Sequence, residues 1–193
     1  MNNQKIQDIY DFIVKLDQLK NVDRRTKVIS STRRENSAEH SWHVAISAYL
    51  LKELANFEID IDRVIKMLMF HDVAEIELGD TFHYFKDANR DLEKNEILTL
   101  SGMINFMKPE NRSEIVDLVI EFQQKITAES KYANAIDRFM AFVSNLNSST
   151  GGTWFEYGIS YDEVISKNEH IRDGSEALWY FLKEKLDILY KQI

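Results

Sequence analysis

Apolar side chains recur at helical spacing along most of the chain. In the first segment they stand at Ile6, Ile9, Tyr10, Ile13 and Leu16. These intervals of three and four residues place them on one face of a helix over about residues 4–19. Turn signals are scarce, since the 193 residues include one Pro and six Gly, whereas an all-β chain needs a turn about every 8–12 residues. The pattern therefore predicts an all-α fold.

Seven more helices are predicted after a polar, basic stretch, residues 20–35, which we interpret as a connecting loop. Asn36 or Ser37 is expected to cap the second helix, because its side-chain oxygen can accept a free N–H group of the first turn. Asp60 or Asp62 is expected to cap the third in the same way. The third helix should end near Gly79, and the others should span about 89–106, from Pro109 onward, from Ser130 to about Leu146, about 161–171 and about 175–191.

The segment NSSTGG at residues 147–152 is the clearest loop signal in the chain. It is too short to link two domains, so we interpret it as a turn or a flap. The chain length also favours one domain. We therefore expect a single helical domain over residues 1–193.

Charge and composition exclude several classes of function. Lys and Arg number 24 against 32 Asp and Glu, which gives a net charge of −8. This balance argues against a duplex nucleic-acid binder, although a local basic pocket can still hold one phosphate. The absence of cysteine excludes thiolate catalysis and disulfides. The N-terminal segment lacks the apolar stretch of a signal peptide and no run reaches the ~18 apolar residues of a membrane span, so we expect a cytoplasmic protein that does not enter the membrane.

Three ionisable side chains share one face of an otherwise apolar helix. His71 and Asp72 lie within the run MLMFHDVAE, and Glu75 follows one turn later. Burying such groups without compensation is unfavourable, and a divalent cation would balance them. The alternative is that His71 touches the edge of the core while the two acids face solvent.

Two other helices place similar residues in apolar surroundings. His40 lies in AEHSWHV and Asp137 in NAIDRFM. Two histidines and two aspartates from three helices match a divalent metal with positions left for water and substrate, and the set suits Mn, Co, Fe, Ni, Zn or Mg. Because such a metal makes its bound water acidic enough to supply hydroxide near neutral pH, the set indicates hydrolysis.

At these positions the sequence resembles the HD-domain metal-dependent phosphohydrolases, and within them the bacterial 5′-deoxynucleotidases. The signature H…HD…D corresponds to His40, His71-Asp72 and Asp137, and the flanks NSAEHSWHVA, FHDVAEIELGD and NAIDRFMAF are also similar. The resemblance runs from about residue 10 to 190. It implies a single HD domain with a metal-binding core at about 36–146, on which the helices of 153–193 pack. It also implies a homodimer that hydrolyses (deoxy)nucleoside 5′-monophosphates to nucleoside and phosphate.

The resemblance also implies roles for single residues. His40, His71, Asp72 and Asp137 would bind the metal. Glu75 would support the metal centre or transfer a proton, and Asp80 would orient the attacking water or protonate the leaving group, although either can instead be structural. Arg24 or Arg25 matches an arginine that binds the substrate phosphate, for which a guanidinium is well shaped. Lys27 stands where the family has a tryptophan that contacts the sugar, which leaves the deoxyribose preference open.

Other activities remain open at this point. The same metal set can serve a hydrolase of nucleoside triphosphates or of a guanosine tetraphosphate alarmone. A catalytically silent helical module that holds a nucleotide is a further alternative. Residues beside the motif are weaker candidates for substrate contact: Arg33, Arg34, Lys86, Lys94, His43, His83, Trp154, Phe155 and Tyr157. We expect His170, near the polar end of a late helix, to be exposed.

Overall fold

The computed structural model describes residues 3–84, 91–148 and 152–191. Within these ranges the helices are α1 (Asn3–Leu16), α2 (Ser37–Leu51), α3 (Ile61–Phe70), α4 (Glu75–Leu78), α5 (Leu92–Met103), α6 (Pro109–Gln124), α7 (Ala128–Leu146), α8 (Gly152–Glu156), α9 (Tyr161–Asn168), α10 (Ile171–Gly174) and α11 (Glu176–Lys191). Eight of these helices have at least eight residues, and the predicted all-α fold is confirmed. Lys86 and residues 149–151 of the predicted loop lie outside the described residues.

A two-stranded antiparallel hairpin occupies the stretch that we interpreted as a loop. Strands β1 (Asp23–Lys27) and β2 (Arg34–Asn36) pair with Asp23 opposite Asn36. Arg24 points inward and is buried, whereas its neighbours Asp23 and Arg25 are exposed. Buried and exposed side chains therefore alternate along β1, as in other strands. Because the buried position holds an arginine rather than an apolar residue, the hydrophobic pattern of the sequence does not reveal the strand.

The helix caps explain where the helices that carry the site begin. Asn36 caps α2, and Glu39 completes a capping box with it. Asp60 caps α3, and Pro109 occupies the first turn of α6, as predicted. The N-cap of helix α7 is Thr127, three residues before the predicted cap Ser130. There the Thr127 hydroxyl accepts the backbone N–H of Ser130.

Helix α3 ends earlier than predicted, and this break shapes the site. The predicted helix runs on to Gly79, but α3 stops at Phe70 and a tight turn of residues 71–74 separates it from α4. Within the turn, N–H groups bond carbonyls three residues back, as Glu75 N does with Asp72 O at 3.0 Å. Gly79 ends α4 with φ of 74°, a left-handed conformation that glycine adopts easily. His71 and Asp72 therefore project from a turn rather than from a straight helix.

Helix α7 lies at the centre of the main hydrophobic core. Its apolar residues, such as Ile136, pack with buried side chains of α2, α3 and α11, including Val44, Leu68 and Leu182. Short helix α10 also packs closely on it. A second buried cluster joins α5, α6 and the α3–α4 turn. Among the described helices, none is long and apolar enough to cross a membrane.

Gly174→Ala is expected to lower the free energy of unfolding by about 1–3 kcal/mol, because α10 and α7 approach too closely for a side chain. A Cβ at Gly174 would stand 2.3 Å from the carbonyl oxygen of Lys131. Gly102, inside α5, is the matched control, since a Cβ there meets nothing within 4 Å. Gly102→Ala should raise stability by about 0.5–1 kcal/mol. Urea unfolding of both variants measures the difference, and equal stability of the two would contradict this packing.

Candidate metal centre and active site

His71 presents one ring nitrogen to the protein backbone and the other to the site. Its Nδ1 lies 2.9 Å from the carbonyl oxygen of Leu68, which can only accept a hydrogen bond. The proton of the neutral ring therefore resides on Nδ1, and the lone pair is on Nε2. Nε2 is buried and faces Asp72 Oδ1 at 3.1 Å, and it has no hydrogen-bond partner among the described residues. Two electron-rich atoms so placed are stabilised by positive charge between or beside them, either a proton or a metal ion.

His40 and Asp137 form a second pair of this kind, supplied by α2 and α7. His40 Nε2 lies 2.9 Å from Asp137 Oδ1, and both side chains are buried. The imidazole rings of His40 and His71 are 5.7 Å apart. Donor atoms of His40, His71 and Asp72 all lie within 4.8 Å of one another, and Asp137 adjoins this group through His40. The four residues that the sequence predicts as ligands are thus brought together.

An arginine fixes one oxygen of each aspartate. Arg24 Nη1 donates to Asp72 Oδ2 at 2.8 Å. Arg138 donates to Asp137 Oδ2 from Nε at 3.1 Å and from Nη2 at 2.7 Å. The Oδ1 atoms remain directed at the histidine nitrogens. Two imidazole nitrogens and two carboxylate oxygens therefore converge, which is a donor set that fits a divalent transition metal or zinc.

The charges around the centre keep both aspartates ionised. Burial alone would raise the pKa of Asp72, but the charges of His71 and Arg24 outweigh it and lower the pKa. Burial likewise opposes the ionisation of Asp137, and the charge of Arg138 with the His40 contact lowers its pKa well below the usual range. Burial would lower the pKa of His71, yet the negative charge of Asp72 raises it. The centre therefore favours positive charge at the point where the four side chains meet.

Glu75 and Asp80 lie beside this group and line the same cavity. Ser37 Oγ donates to Glu75 Oε2 at 2.6 Å. Burial, together with the neighbouring charge of Asp72, raises the pKa of Glu75 to about 8. Asp80 is nearly enclosed, and its Oδ1 lies 3.6 Å from Arg24 Nη1. Both carboxyl groups are thus within the cavity, where they can exchange a proton with a bound substrate.

Glu75→Gln is expected to flatten the pH dependence of stability in the metal-free protein. With a folded pKa of about 8 against an ordinary unfolded value, Glu75 holds a proton that the unfolded chain releases. Its contribution is complete below the unfolded pKa and is lost as the pH rises towards 8, by up to about 1.4 kcal/mol per pH unit. Gln mimics the protonated acid and removes this slope. Urea unfolding in a chelator between pH 5 and 8 measures it, and parallel curves for both proteins would contradict the raised pKa.

A cavity of about 450 Å³ opens beside the metal centre. Arg24 and Arg25 both line it, but Arg24 is buried whereas Arg25 is exposed to solvent. Arg24 is buried among carboxylates, which raise its pKa against the opposing effect of burial. Arg25 is exposed, and its Nη1 donates to the Tyr157 hydroxyl at 3.4 Å. The cavity is large enough for a nucleotide-sized ligand.

Aromatic side chains, among them Phe82, Tyr84 and Trp154, form part of the cavity wall. Trp154 is fully buried, and its Nε1 donates to the Tyr84 hydroxyl at 2.9 Å. Phe82 contacts Tyr157, with ring centroids 5.0 Å apart. Trp154 is therefore part of the core behind the cavity rather than a free stacking surface.

The prediction that His170 is exposed is wrong. His170 is partly buried and lines the cavity, although the sequence predicted an exposed position. Burial, assisted by the charges of Lys125 and Arg138, lowers its pKa to about 4, so the ring is neutral at physiological pH. The polar helix end suggested solvent, but the turn between α9 and α10 folds this side chain back over the site.

Lys27, at the position of the family's tryptophan, and several of the weaker candidates lie outside the cavity. Lys27 pairs with Glu156 at 3.2 Å and lines a separate cleft, so it does not replace a sugar-contacting tryptophan. His43 lines that same cleft and stacks on Trp42. His83 does line the cavity and contacts the Lys167 carbonyl at 3.2 Å. Lys94 is exposed on α5.

Sequence comparison places the chain among known proteins. The family model described as "HD domain" matches residues 16–179. The chain belongs to the HD-domain family. A crystal structure described as a predicted metal-dependent phosphohydrolase from Magnetospirillum magnetotacticum MS-1 is 33% identical, covers 97% of this chain and 93% of that one, and superposes with a TM-score of 0.88. This HD-domain chain therefore has the fold and family that its motif predicts.

Curated relatives of this HD-domain chain include 5′-deoxynucleotidases. The Xenopus laevis protein is 24% identical over 67% of this chain and 64% of its own length. The Photorhabdus laumondii protein is 26% identical over 89% of each chain. The matches to the Xenopus laevis and Homo sapiens proteins thus span less than two thirds of those relatives.

Proposed function

We propose that this HD-domain chain is a metal-dependent phosphohydrolase that cleaves nucleoside 5′-monophosphates to nucleoside and phosphate. The observation that carries the proposal is the buried Nε2 of His71, which finds no hydrogen-bond partner in the part of the chain that the structure describes and faces a carboxylate oxygen beside a second histidine–aspartate pair. Such an arrangement is unfavourable for the protein alone and favourable around a cation. The substrate class follows from the similarity to 5′-deoxynucleotidases.

Different residues of the site would bind the metal and the substrate phosphate. His40, His71, Asp72 and Asp137 would hold the metal, which supplies Lewis-acid activation of a phosphoryl oxygen and of water. Arg25, at the exposed side of the cavity, binds phosphate oxygens, and Arg24 adds fixed positive charge that also orients Asp72.

The proton of the reaction passes through the two cavity carboxyl groups. Asp80 orients the attacking water or protonates the 5′-oxygen of the leaving nucleoside. Glu75, with a pKa of about 8, holds a proton near neutral pH in the metal-free site and is placed to exchange one with the reacting groups. Both carboxyl groups line the cavity, where acid–base catalysis needs a group that can give or accept a proton.

We also propose that the protein is a homodimer. Helix α1 supports this, because it buries none of its residues and leaves Ile6, Tyr10 and Ile13 more than half exposed. Exposed apolar surface of this kind is typical of an association face. Sedimentation at micromolar concentration tests the dimer, and a monomer there would contradict it.

The test of function is phosphate release from a panel of ribo- and deoxyribonucleoside 5′-monophosphates with Mn²⁺ or Co²⁺ added. Asp72→Asn, purified in the same way, controls for a contaminating phosphatase. Release that requires the metal and disappears in the variant supports the proposal. The ratio of the rates with ribo- and deoxyribonucleotides then measures the sugar preference. Lys27, at the position of the family's sugar-contacting tryptophan, lines a separate cleft and so does not indicate which sugar is preferred.

Two results would contradict the proposal and favour a different function. Hydrolysis confined to nucleoside triphosphates or guanosine tetraphosphate would assign the same centre to another phosphate ester. Nucleotide binding without any turnover would indicate a silent binding module.

A further inference from the structure

Glu35 is a nearly enclosed carboxylate on β2 that stands behind His40. Its Oε2 lies 3.4 Å from His40 Nδ1 and 3.8 Å from Arg24 Nε. The Thr26 hydroxyl donates to the same oxygen at 3.1 Å. One carboxylate oxygen therefore faces three possible donors, from β1 and α2.

The contact is made with the nitrogen of His40 that points away from the metal centre. Nδ1 faces Glu35, whereas Nε2 faces Asp137 at 2.9 Å. Because an ionised carboxylate only accepts hydrogen bonds, the proton of a neutral His40 ring belongs on Nδ1. The lone pair is then on Nε2, where the converging donor atoms need it.

The two histidines are thus oriented by different partners. His71 uses the backbone carbonyl of Leu68, which remains in place whatever its side chain is. His40 has a side-chain partner, so its orientation depends on a residue that can be replaced. The hairpin missed by the sequence analysis supplies that partner.

We infer that Glu35 is a positioning residue that orients His40 and raises the metal affinity of the centre without itself binding the metal. The inference rests on the proposed metal binding by His40. Carboxylates that accept from the remote nitrogen of a ligating histidine fix the ring and increase its basicity, and losing one lowers metal affinity about 10–100-fold.

The test measures Co²⁺ binding at fixed pH by competition with a chromophoric chelator, together with the visible spectrum of the bound ion. Glu35→Ala is expected to weaken binding about 10–100-fold. Its spectrum at saturation should match that of the unaltered protein, because the ligands are the same. Glu35→Gln keeps an accepting oxygen and the side-chain shape, so it should recover part of the affinity and remain at least about threefold weaker.

Glu39→Ala is the matched control. Glu39 lies at the same strand–helix junction, but its carboxylate pairs with Arg33 and accepts the backbone N–H of Asn36. It should bind Co²⁺ as the unaltered protein does. Equal loss in the Glu39 and Glu35 variants would overturn the inference, since it would indicate general loosening of the junction. Binding by Glu35→Ala within twofold of the unaltered protein would overturn it as well. If that variant fails to fold, full affinity in Glu35→Gln has the same meaning.

The result is separable from the proposed function. An unaltered protein that binds no Co²⁺ removes the metal centre itself and overturns both proposals. An unaltered protein that binds Co²⁺ while the Glu35 variants bind equally well overturns only the role of Glu35.

Discussion

His71→Ala is expected to abolish metal-dependent phosphate release and to remove the bound metal. The substitution deletes His71 Nε2, a buried nitrogen with no hydrogen-bond partner among the described residues, and so removes one of the proposed metal ligands. Loss of a supporting residue lowers affinity or activity about 10–100-fold, and loss of a ligand should exceed this, with activity reduced at least about 100-fold. Metal content per chain and phosphate release, measured on the same sample, report the two effects.

His43→Ala is the control for this experiment. His43 lies one helical turn from His40 but lines the separate cleft and stacks on Trp42. It should retain metal and activity. Full metal content and full activity in His71→Ala would show that the centre has been placed wrongly.

Arg24→Met should lower the free energy of unfolding of the metal-free protein by about 3–5 kcal/mol at neutral pH. The buried guanidinium faces Asp72, Asp80 and Glu35, and its removal leaves their charges uncompensated. Met retains much of the apolar volume, so the expected loss is electrostatic rather than a packing defect. Chemical unfolding in a chelator measures it.

Arg33→Met provides the matched comparison. Arg33 forms a two-nitrogen contact with Glu39, yet it lies at an exposed position between β1 and β2. Exposed ion pairs contribute about 0–1 kcal/mol. A loss of similar size in both variants would contradict the view that Arg24 is a buried counter-charge.

The sequence was sufficient for the fold class and for the four converging side chains. The apolar spacing typical of helices can be recognised in one sequence without an alignment. Among the ionisable residues, His40, His71, Asp72 and Asp137 stand out because each lies within an otherwise apolar helical segment. The break after Phe70 was not visible, since the apolar pattern continues through the turn of residues 71–74.

The partners of those side chains were harder to predict. Glu35, in a stretch with no apolar pattern, was not singled out, because its contact with His40 depends on the pairing of β1 with β2. Arg138 follows Asp137 directly, but neighbouring residues on a helix usually point in different directions, and the sequence does not indicate that the Arg138 side chain turns back onto Asp137. His170 reaches the cavity through tertiary packing between α9 and α10, which no local pattern encodes.

The two arginine-held aspartates bear on how the centre discriminates among cations. Asp72 Oδ2 and Asp137 Oδ2 each accept a hydrogen bond from a guanidinium, so neither carboxylate is free to coordinate an ion in bidentate fashion. Calcium takes 6–8 oxygen ligands and often relies on such two-oxygen contacts. A centre that offers two carboxylate oxygens beside two imidazoles is therefore a poor calcium site, and its donor set favours a transition metal or zinc over calcium.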